Sequence, residues 1–498
     1  MGNAFPYTNL MSDEDKKKVH DASMKMLSEI GMHYEHPKAL EIAASNGVRV
    51  EGETAYWTEE QVMEWIAKAP ETFTIYARNP EHNIEVGGEN INIAPGYGMP
   101  TIIERDGSAR PGTMQDYVNF VKMFHANPDY HTNGSLMIQP NDVDVHTSNM
   151  CMTYASLMGS DKGQLLVGEG GTEDFEAMMR ALAVTVGGEE YLRSHPCANT
   201  IIDVVTPLAF SVNMTEALIT FAEWGQATAI SSCAMAGTTA PVSAIGPIVY
   251  TNAEVLSTIA LAQMINPGCP VLYGSQSPQA DMGSGQIAGG APESALMYIY
   301  AQEMARYYHL PFRGGGAITD SKTIDTQSGY ESMMTLMACY MAKTNYMIHS
   351  AGVMNGYVTT SYDKIMQDFE LNRYVKRFFE VPVRVDDETI PMEEIMDCGH
   401  DGEFLTADST FDMCREIVAP LVGSRGVVQD INNQVYKKLD AYYDKLLETY
   451  HANVPEVDES VREQVKDILC AAGTDRATLD RIDEMLATRG NLADTNAA

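Results

Sequence analysis

Residues able to do chemistry crowd into one stretch, from Gly237 to Tyr357: Gln276, Asp281, Arg313, Gln327, Glu331, His349 and Tyr357. Arg313 precedes three glycines, where its guanidinium can pair a carboxylate through two parallel N–H bonds; a bridge to the acidic residues downstream is the alternative. His349, in NYMIHSAG, ends an apolar run, so its ring is either a functional donor or a satisfied core group. Gln276 and the upstream Asn199 are neutral donors at the ends of apolar runs. Asp281 and Glu331 can supply negative charge. With His349 they would make a metal-free acid–base set for a carbonyl compound. Asp320 is a third carboxylate or a helix cap, and Glu254 fits a first-turn residue that complements the helix dipole. Tyr97 in APGYGMP and Tyr357 in GVMNGY sit among glycines that let a ligand approach closely. Phe210 is a further aromatic candidate, and packing is the alternative for all three.

Two sharper motifs carry less. His195-Pro196-Cys197 has the His-x-Cys spacing of a zinc site, but it needs a second cysteine, and Cys233, Cys269 and Cys339 have no assigned place near it. The intervening proline and a position ahead of an apolar run argue against it, so no metal is expected. The glycines of DMGSGQIAGG lack the spacing of a dinucleotide turn and are expected to form a rim loop. Met333, Met334, Met337 and Met341 recur at helical spacing and read mostly as core filler.

The elements that must position these groups repeat as strand, Gly/Pro turn, helix. Apolar strand candidates are 91–103, 131–138, 164–167, 198–205, 227–235, 271–274, 311–314 and 345–350. Helix-like stretches follow at 114–125, 145–158, 172–186, 213–224, 252–265, 292–308, 327–343 and 362–379, with caps expected at Thr172 and Asn213. Eight such units over about 290 residues are the count and length of a (β/α)₈ barrel. Its strand ends would carry the site, which also brings in the segments 133–135, Gly168-Glu169 and 235–238. Residues 1–90 read as an α+β accessory region, with helices at 13–31 and 58–69 and strands at 48–57 and 72–86. Residues 91–380 are the barrel. Residues 381–498 form an acidic, mainly helical extension, with helices at 430–450 and 459–471 and a frayed end. It is expected to pack around the barrel and to serve contacts with a second copy or a partner, so a homo-oligomer is expected.

Composition excludes several classes. The 498-residue chain carries a formal charge of −35, so it has no basic surplus to neutralise nucleic-acid phosphates or an anionic membrane surface. No stretch approaches about 18 apolar residues, so no membrane span is expected. The N-terminal residues show no secretory h-region. Eight cysteines stand singly and read as reduced thiols. A cytoplasmic protein is expected.

The segments GTTAPVS, NAEVLSTIALAQMINPG, VLYGS, ARYYHLP, TDSKTIDTQSGYES and HSAG resemble the trimethylamine methyltransferase superfamily, specifically the branch without pyrrolysine that demethylates quaternary amines such as glycine betaine. Weaker similarity in LSEIGMHYEHPKAL, YARNPEHNIEVGG and FLTADST extends the resemblance over nearly the whole chain. It implies a (β/α)₈ barrel and methyl transfer from a small quaternary amine to the cobalt of a separate corrinoid protein. No corrinoid would be bound permanently. Gln327 is the candidate for the position matching pyrrolysine; with Glu331 and His349 it makes the expected catalytic set. A quaternary ammonium donates no hydrogen bond, so aromatic faces and carboxylates are its natural partners: Tyr97, Phe210, Tyr357 and Asp281. A betaine carboxylate would find donors in Asn199, Gln276, Arg313 and His349. A non-catalytic binder of quaternary amines is the remaining alternative.

Overall fold

Each of the eight apolar runs contributes one barrel strand, in chain order: β1 (Asn92–Ile93), β2 (Thr132–Gly134), β3 (Gly163–Leu166), β4 (Ala198–Val204), β5 (Ala227–Ser232), β6 (Val271–Ser275), β7 (Phe312–Gly314) and β8 (Tyr346–Met347). The computed structural model describes residues 6–381, 384–400, 402–427 and 434–489. All seven pairings from β2 through β8 to β1 are parallel. The ring closes between β1 and β2, where the His131 N–H donates to Ile93 O at 2.9 Å and the Ile93 N–H donates to His131 Nδ1 at 2.9 Å. The expected first strand, 91–103, is shorter than its apolar run. Its far end, Thr101–Ile103, pairs instead with Thr359–Thr360 and Ala109–Pro111 on the mouth side of the barrel.

Helices α1 (Met114–Ala126), α2 (Ser148–Gly159), α3 (Thr172–Val186), α4 (Val212–Glu223), α5 (Gly246–Ile265), α6 (Pro292–Tyr307), α7 (Thr326–Ala342) and α8 (Tyr362–Glu380) follow the strands in turn. Two caps differ from expectation. Gly171, not Thr172, caps α3, with its N–H held by Asp174 at 2.9 Å. Ser211, not Asn213, caps α4. Helix α5 starts at Gly246, well ahead of 252, so Glu254 lies in mid-helix rather than in the first turn. Apolar nearly all round, α5 is long enough to cross a membrane by composition alone, yet most of it is buried. The reason is packing on both faces: against β5 and β6 inside, and against helices Asp13–Glu29, Pro37–Ser45 and Glu59–Ile66 of the N-terminal region outside. A helix apolar on every face is a buried one.

The barrel interior is layered. Ala94, Leu165, Ile201, Ala229, Leu272, Tyr346 and Ile348 make an apolar plug. The hairpin of Thr72–Ile75 with Ile84–Gly87 closes it from below, adding Ile75, Ile84 and Val86. At the other end, inward positions two residues further along β4 and β5 turn polar, at Asp203 and Ser231. Helices Gln434–Ala452, Glu459–Ala471 and Arg476–Ala487 pack on the outside, against α1 and α8, α3, and α1 and α2 respectively. The expected frayed end falls on 490–498, outside the described residues.

Candidate active site

Above the apolar plug, one register level carries the charges. Asp203 on β4 pairs with Ser231 on β5, Ser231 with Gly274 on β6, and Gly274 with Arg313 on β7. Strand side chains alternate, so with Ile201 and Ala229 in the plug, Asp203 and Ser231 also face inward. Arg313 is 1% exposed. Its Nη1 donates to Ser231 Oγ at 2.9 Å, and its Nη2 lies 3.4 Å from His349 Nδ1. Its Nε has no partner, and among the described residues no carboxylate bridges it. Burial lowers the Arg313 pKa, while Asp203 opposes that shift; from so high a starting value the guanidinium stays charged. A buried cation with a donor unspent is costly. It is the signature of a site built for an anion.

Gly274 is required here by close approach. A Cβ at this position would stand 2.5 Å from Ile230 O and 2.9 Å from Ser231 Cα, both backbone atoms of β5. Gly274→Ala is expected to destabilise the fold by about 1–3 kcal/mol through overpacking and to move Ser231 from Arg313, read as a lower thermal midpoint.

His349 follows β8 in a left-handed conformation, φ +69°, and Tyr357 has φ +68°. Such backbone costs about 1–2 kcal/mol for a residue with a side chain and collects at functional sites. Both are held. The His349 N–H donates to Pro95 O at 3.1 Å, and its carbonyl accepts from Ala317 N–H at 3.0 Å. The Tyr357 hydroxyl accepts from Gln276 Nε2 at 2.6 Å, and the same amide reaches the Tyr298 hydroxyl at 2.9 Å. The His349 and Tyr357 rings meet edge to face at 5.1 Å. Burial, then the Arg313 charge, push the imidazole pKa well below its usual value, so His349 is neutral.

Opposite this cationic pole stand carboxylates. Asp203 and Cys233 have accessible surface although protein surrounds them, because both face the hollow of the barrel mouth. Burial raises the Asp203 pKa; Arg313 opposes this and Glu169 adds to it. Burial likewise raises the Tyr97 pKa, with Glu169 and Asp203 beside it. The Cys233 thiol, pushed up to about 12 by burial, is neutral. A phenol ring, two carboxylates, a second tyrosine and a buried guanidinium therefore share one hollow, with Tyr97 beside the carboxylates and Tyr357 beside the His349–Arg313 pair.

The structure brings together Tyr97, Gln276, Arg313, His349 and Tyr357. It places the other candidates elsewhere. Asn199 starts β4 rather than ending it, so it lies at the base of the barrel. Phe210 is fully buried, edge-on to Tyr34, in a small sheet with Met32–Tyr34. Asp281 is exposed at the tip of a rim hairpin, where its carboxylate accepts from the Gly283 and Ser284 N–H groups. Glu331 accepts from Thr319 Oγ1 at 2.7 Å, Asp320 N–H at 2.8 Å and Gln327 Nε2 at 2.9 Å. Asp320 in turn accepts from the N–H groups of Gly289 and Gly290 at 3.0 and 2.9 Å. Gln327, Glu331 and Asp320 thus tie the rim hairpin to α7, apart from the Arg313 cluster. Glu254 accepts from Ser232 Oγ, Thr206 Oγ1 and Leu208 N–H, bracing the loop after β4.

The acid–base trio of Asp281, Glu331 and His349 is spread over three neighbourhoods. His195 and Cys197 lie ahead of β4, at the barrel base, with the His195 ring stacked on Tyr191. Among the described residues no cluster could hold a metal. Met333, Met334 and Met337 are half-buried and pack against the core, as their spacing suggested, while Met341 is exposed; Met333 and Met337 also line a groove on the flank. Asp203 was not among the expected residues. The signal was its two-residue spacing from Ile201.

The chain has relatives among known proteins. The chain is 40% identical to a glycine betaine methyltransferase of Desulfitobacterium hafniense (strain Y51) over 426 residues, 85% of this chain and 88% of that one. It is 31% identical to a proline betaine:corrinoid methyltransferase of Eubacterium limosum over 388 residues, 74% and 78% of the two chains. The fold matches the crystal structure of the Methanosarcina barkeri monomethylamine methyltransferase with a TM-score of 0.53 at 10% identity, over 91% of this chain and 90% of that one. Residues 1–469 match the family described as trimethylamine methyltransferase (MTTB). The chain belongs to that family.

Proposed function

We propose that this protein moves a methyl group from a small betaine-type quaternary amine to the Co(I) corrinoid of a separate protein, in the cytoplasm. The observation that carries the reading is the dipolar hollow: Arg313, buried with Nε unspent and flanked by His349 and Tyr357, shares the barrel mouth with Asp203, Glu169 and Tyr97. A betaine is the complementary dipole. Its carboxylate fits Arg313 and Ser231 through charge-assisted bonds. Its ammonium, which donates no hydrogen bond, fits phenol faces and the Asp203 carboxylate. The names of the relatives, glycine betaine and proline betaine methyltransferases, support the same class.

The reduced corrinoid, delivered by the partner, supplies the nucleophile and accepts the methyl group. The chain's own residues bind and aim. With the carboxylate fixed at Arg313 and the nitrogen held beside Asp203, an N-methyl group is left directed at the mouth, and the gain is one of orientation. The C–N bond breaks with its electron pair staying on nitrogen, so the leaving group is already a neutral tertiary amine. No proton donor is required, in keeping with a neutral His349 and a neutral Cys233. The partner is received at the mouth, where the loops after the strands expose Val145, Val205, Val242, Met282 and Val358. The barrel itself holds no corrinoid.

The reading is tested by mixing the protein with a reduced corrinoid protein and following the cobalt spectrum. Methyl transfer is expected with betaines, and no spectral change with any quaternary amine would overturn it. Met282→Asp together with Val242→Asp is expected to raise KM for the corrinoid protein about tenfold, about 1.4 kcal/mol. Affinity for the amine, read by calorimetry, stays unchanged.

A further inference from the structure

We propose that the described residues 384–400 and 402–421 form an arm that seats in the flank groove of a second copy of this chain. Among the described residues 384–400 and 402–421 none is buried. The short helices Met392–Cys398 and Asp408–Met413 bury no side chain. Yet the arm exposes nine large apolar side chains, among them Met392, Met396, Leu405, Phe411 and Ile417. Ordering a backbone costs about 1–2 kcal/mol per residue, and a segment without a core cannot offset that alone. Contiguous exposed apolar surface marks an interaction face. The arm is nevertheless organised: the Ser409 N–H donates to Glu394 at 3.0 Å, joining its two helices. Its root is pinned, since Glu370 on α8 accepts from the N–H groups of Leu421 and Gly423 at 2.8 and 3.0 Å.

The same chain carries a complementary receptor. Between α7 and α8 lies a groove of about 640 Å³ walled by Met333, Met337, Tyr374 and Val375, with Arg377 and Arg425 at its edge. Among the arm's described residues Ile417 and Val418, near its root, line this groove. The helix Met392–Cys398 combines Met392, Ile395 and Met396 with Glu393, Glu394 and Asp397, so it matches the groove in both apolarity and charge. Within its own chain Arg377 has a long, exposed contact with Glu416 at 4.0 Å, and Arg425 lies 5.9 Å from the centre of the Tyr374 ring; in a chain of net charge −35, two arginines so loosely held on an apolar groove favour an acidic, apolar segment, and the arm is one. If each copy gives one arm and receives one, the contact is self-complementary and closed. A stable interface covers about 800 Å² per partner, within reach of nine large side chains counted twice.

Sedimentation velocity on the full chain is expected to give a mass of at least two chains. Ile395→Asp with Met396→Asp is expected to sediment as a monomer with unchanged circular dichroism. To separate lost contact from lost folding, two charge-reversed proteins are made. One carries Arg377→Glu with Arg425→Glu, the other Glu393→Lys with Asp397→Lys. Each alone is expected to be monomeric, and their equimolar mixture should regain the dimer mass, because both exchanged contacts are then opposite in charge. A monomeric natural chain would overturn the proposal. So would arm variants that keep the parent mass, or a mixture that stays monomeric. Loss of corrinoid-protein binding by the arm variants without a change of mass would assign the arm to that partner and overturn it equally.

Discussion

Arg313→Met is expected to lower kcat/KM for a betaine by at least ~30-fold while leaving the ligand-free protein as stable as the natural chain, or more so. The first half follows from what the guanidinium lacks. It is buried, and among the described residues Ser231 Oγ is its one short acceptor, Nε has no partner and no carboxylate bridges it. A bound carboxylate would complete it, and truncating one member of a buried hydrogen-bonded charge pair costs about 2–5 kcal/mol. At about 1.4 kcal/mol per tenfold that is a loss of ~30-fold or more. Calorimetry should show the loss in binding itself. The second half follows from the same facts without ligand. A buried charge lacking a partner is a cost to the fold, and an apolar side chain of similar length removes it. Thermal unfolding should therefore show a midpoint that is equal or raised. Arg313→Lys keeps the charge but loses the fork, so it should fall between the two. Tetramethylammonium, which has no carboxylate to lose a partner, should bind Arg313→Met at neutral pH at least as tightly as it binds the natural protein. A variant that binds betaine as tightly as the natural chain would remove Arg313 from the site.

The barrel was readable because its strands are covered on both faces and so run as continuous apolar segments. All eight stand where those runs stand, with ends trimmed by the requirement that each strand find a neighbour in register. The site was readable where a residue closes a run, as His349 and Arg313 do, or sits in a glycine-rich turn, as Tyr97 and Tyr357 do. It was misread where direction or tertiary partners decide. Asn199 and Asp203 lie on one strand, but only the second is at the mouth end, and a charge inside IIDVV looks like an interruption until its inward phase is counted from Ile201. Asp281 resembles a site carboxylate, yet Asp-Met-Gly-Ser is a turn whose N–H groups it satisfies itself. Glu331 is fixed by Thr319, Asp320 and Gln327, a set that forms only once α7 docks on the loop after β7. Three of the four methionines at helical spacing on α7 do pack against the core, but Met341 is exposed, because periodicity shows a face and not what covers it.

Binding of the amine is expected to have an acid limb set by Asp203 and no step from His349. The sign follows from which partner titrates. A quaternary ammonium carries a fixed charge, so pH can act only through the protein. Its attraction to Asp203 requires the carboxylate, which is ionised at neutral pH. Affinity is therefore full there and is lost as pH falls through the Asp203 pKa, which burial, reinforced by Glu169 and opposed by Arg313, sets above the ordinary carboxylate value. His349 adds no limb, since burial and Arg313 hold its pKa well below the usual value. Calorimetric titration across pH should show one inflection, in the acid range. Asp203→Asn should weaken binding at neutral pH by about tenfold to a hundredfold, the worth of a contact to a charged group, about 1.5–3 kcal/mol, and should flatten the profile. An inflection near the usual histidine value would put the proton on His349 instead. The two strongest residues are also coupled. Arg313 lowers the Asp203 pKa, so in Arg313→Met the acid limb, measured with tetramethylammonium, should move to higher pH, whereas Arg313→Lys should leave it close to that of the natural protein.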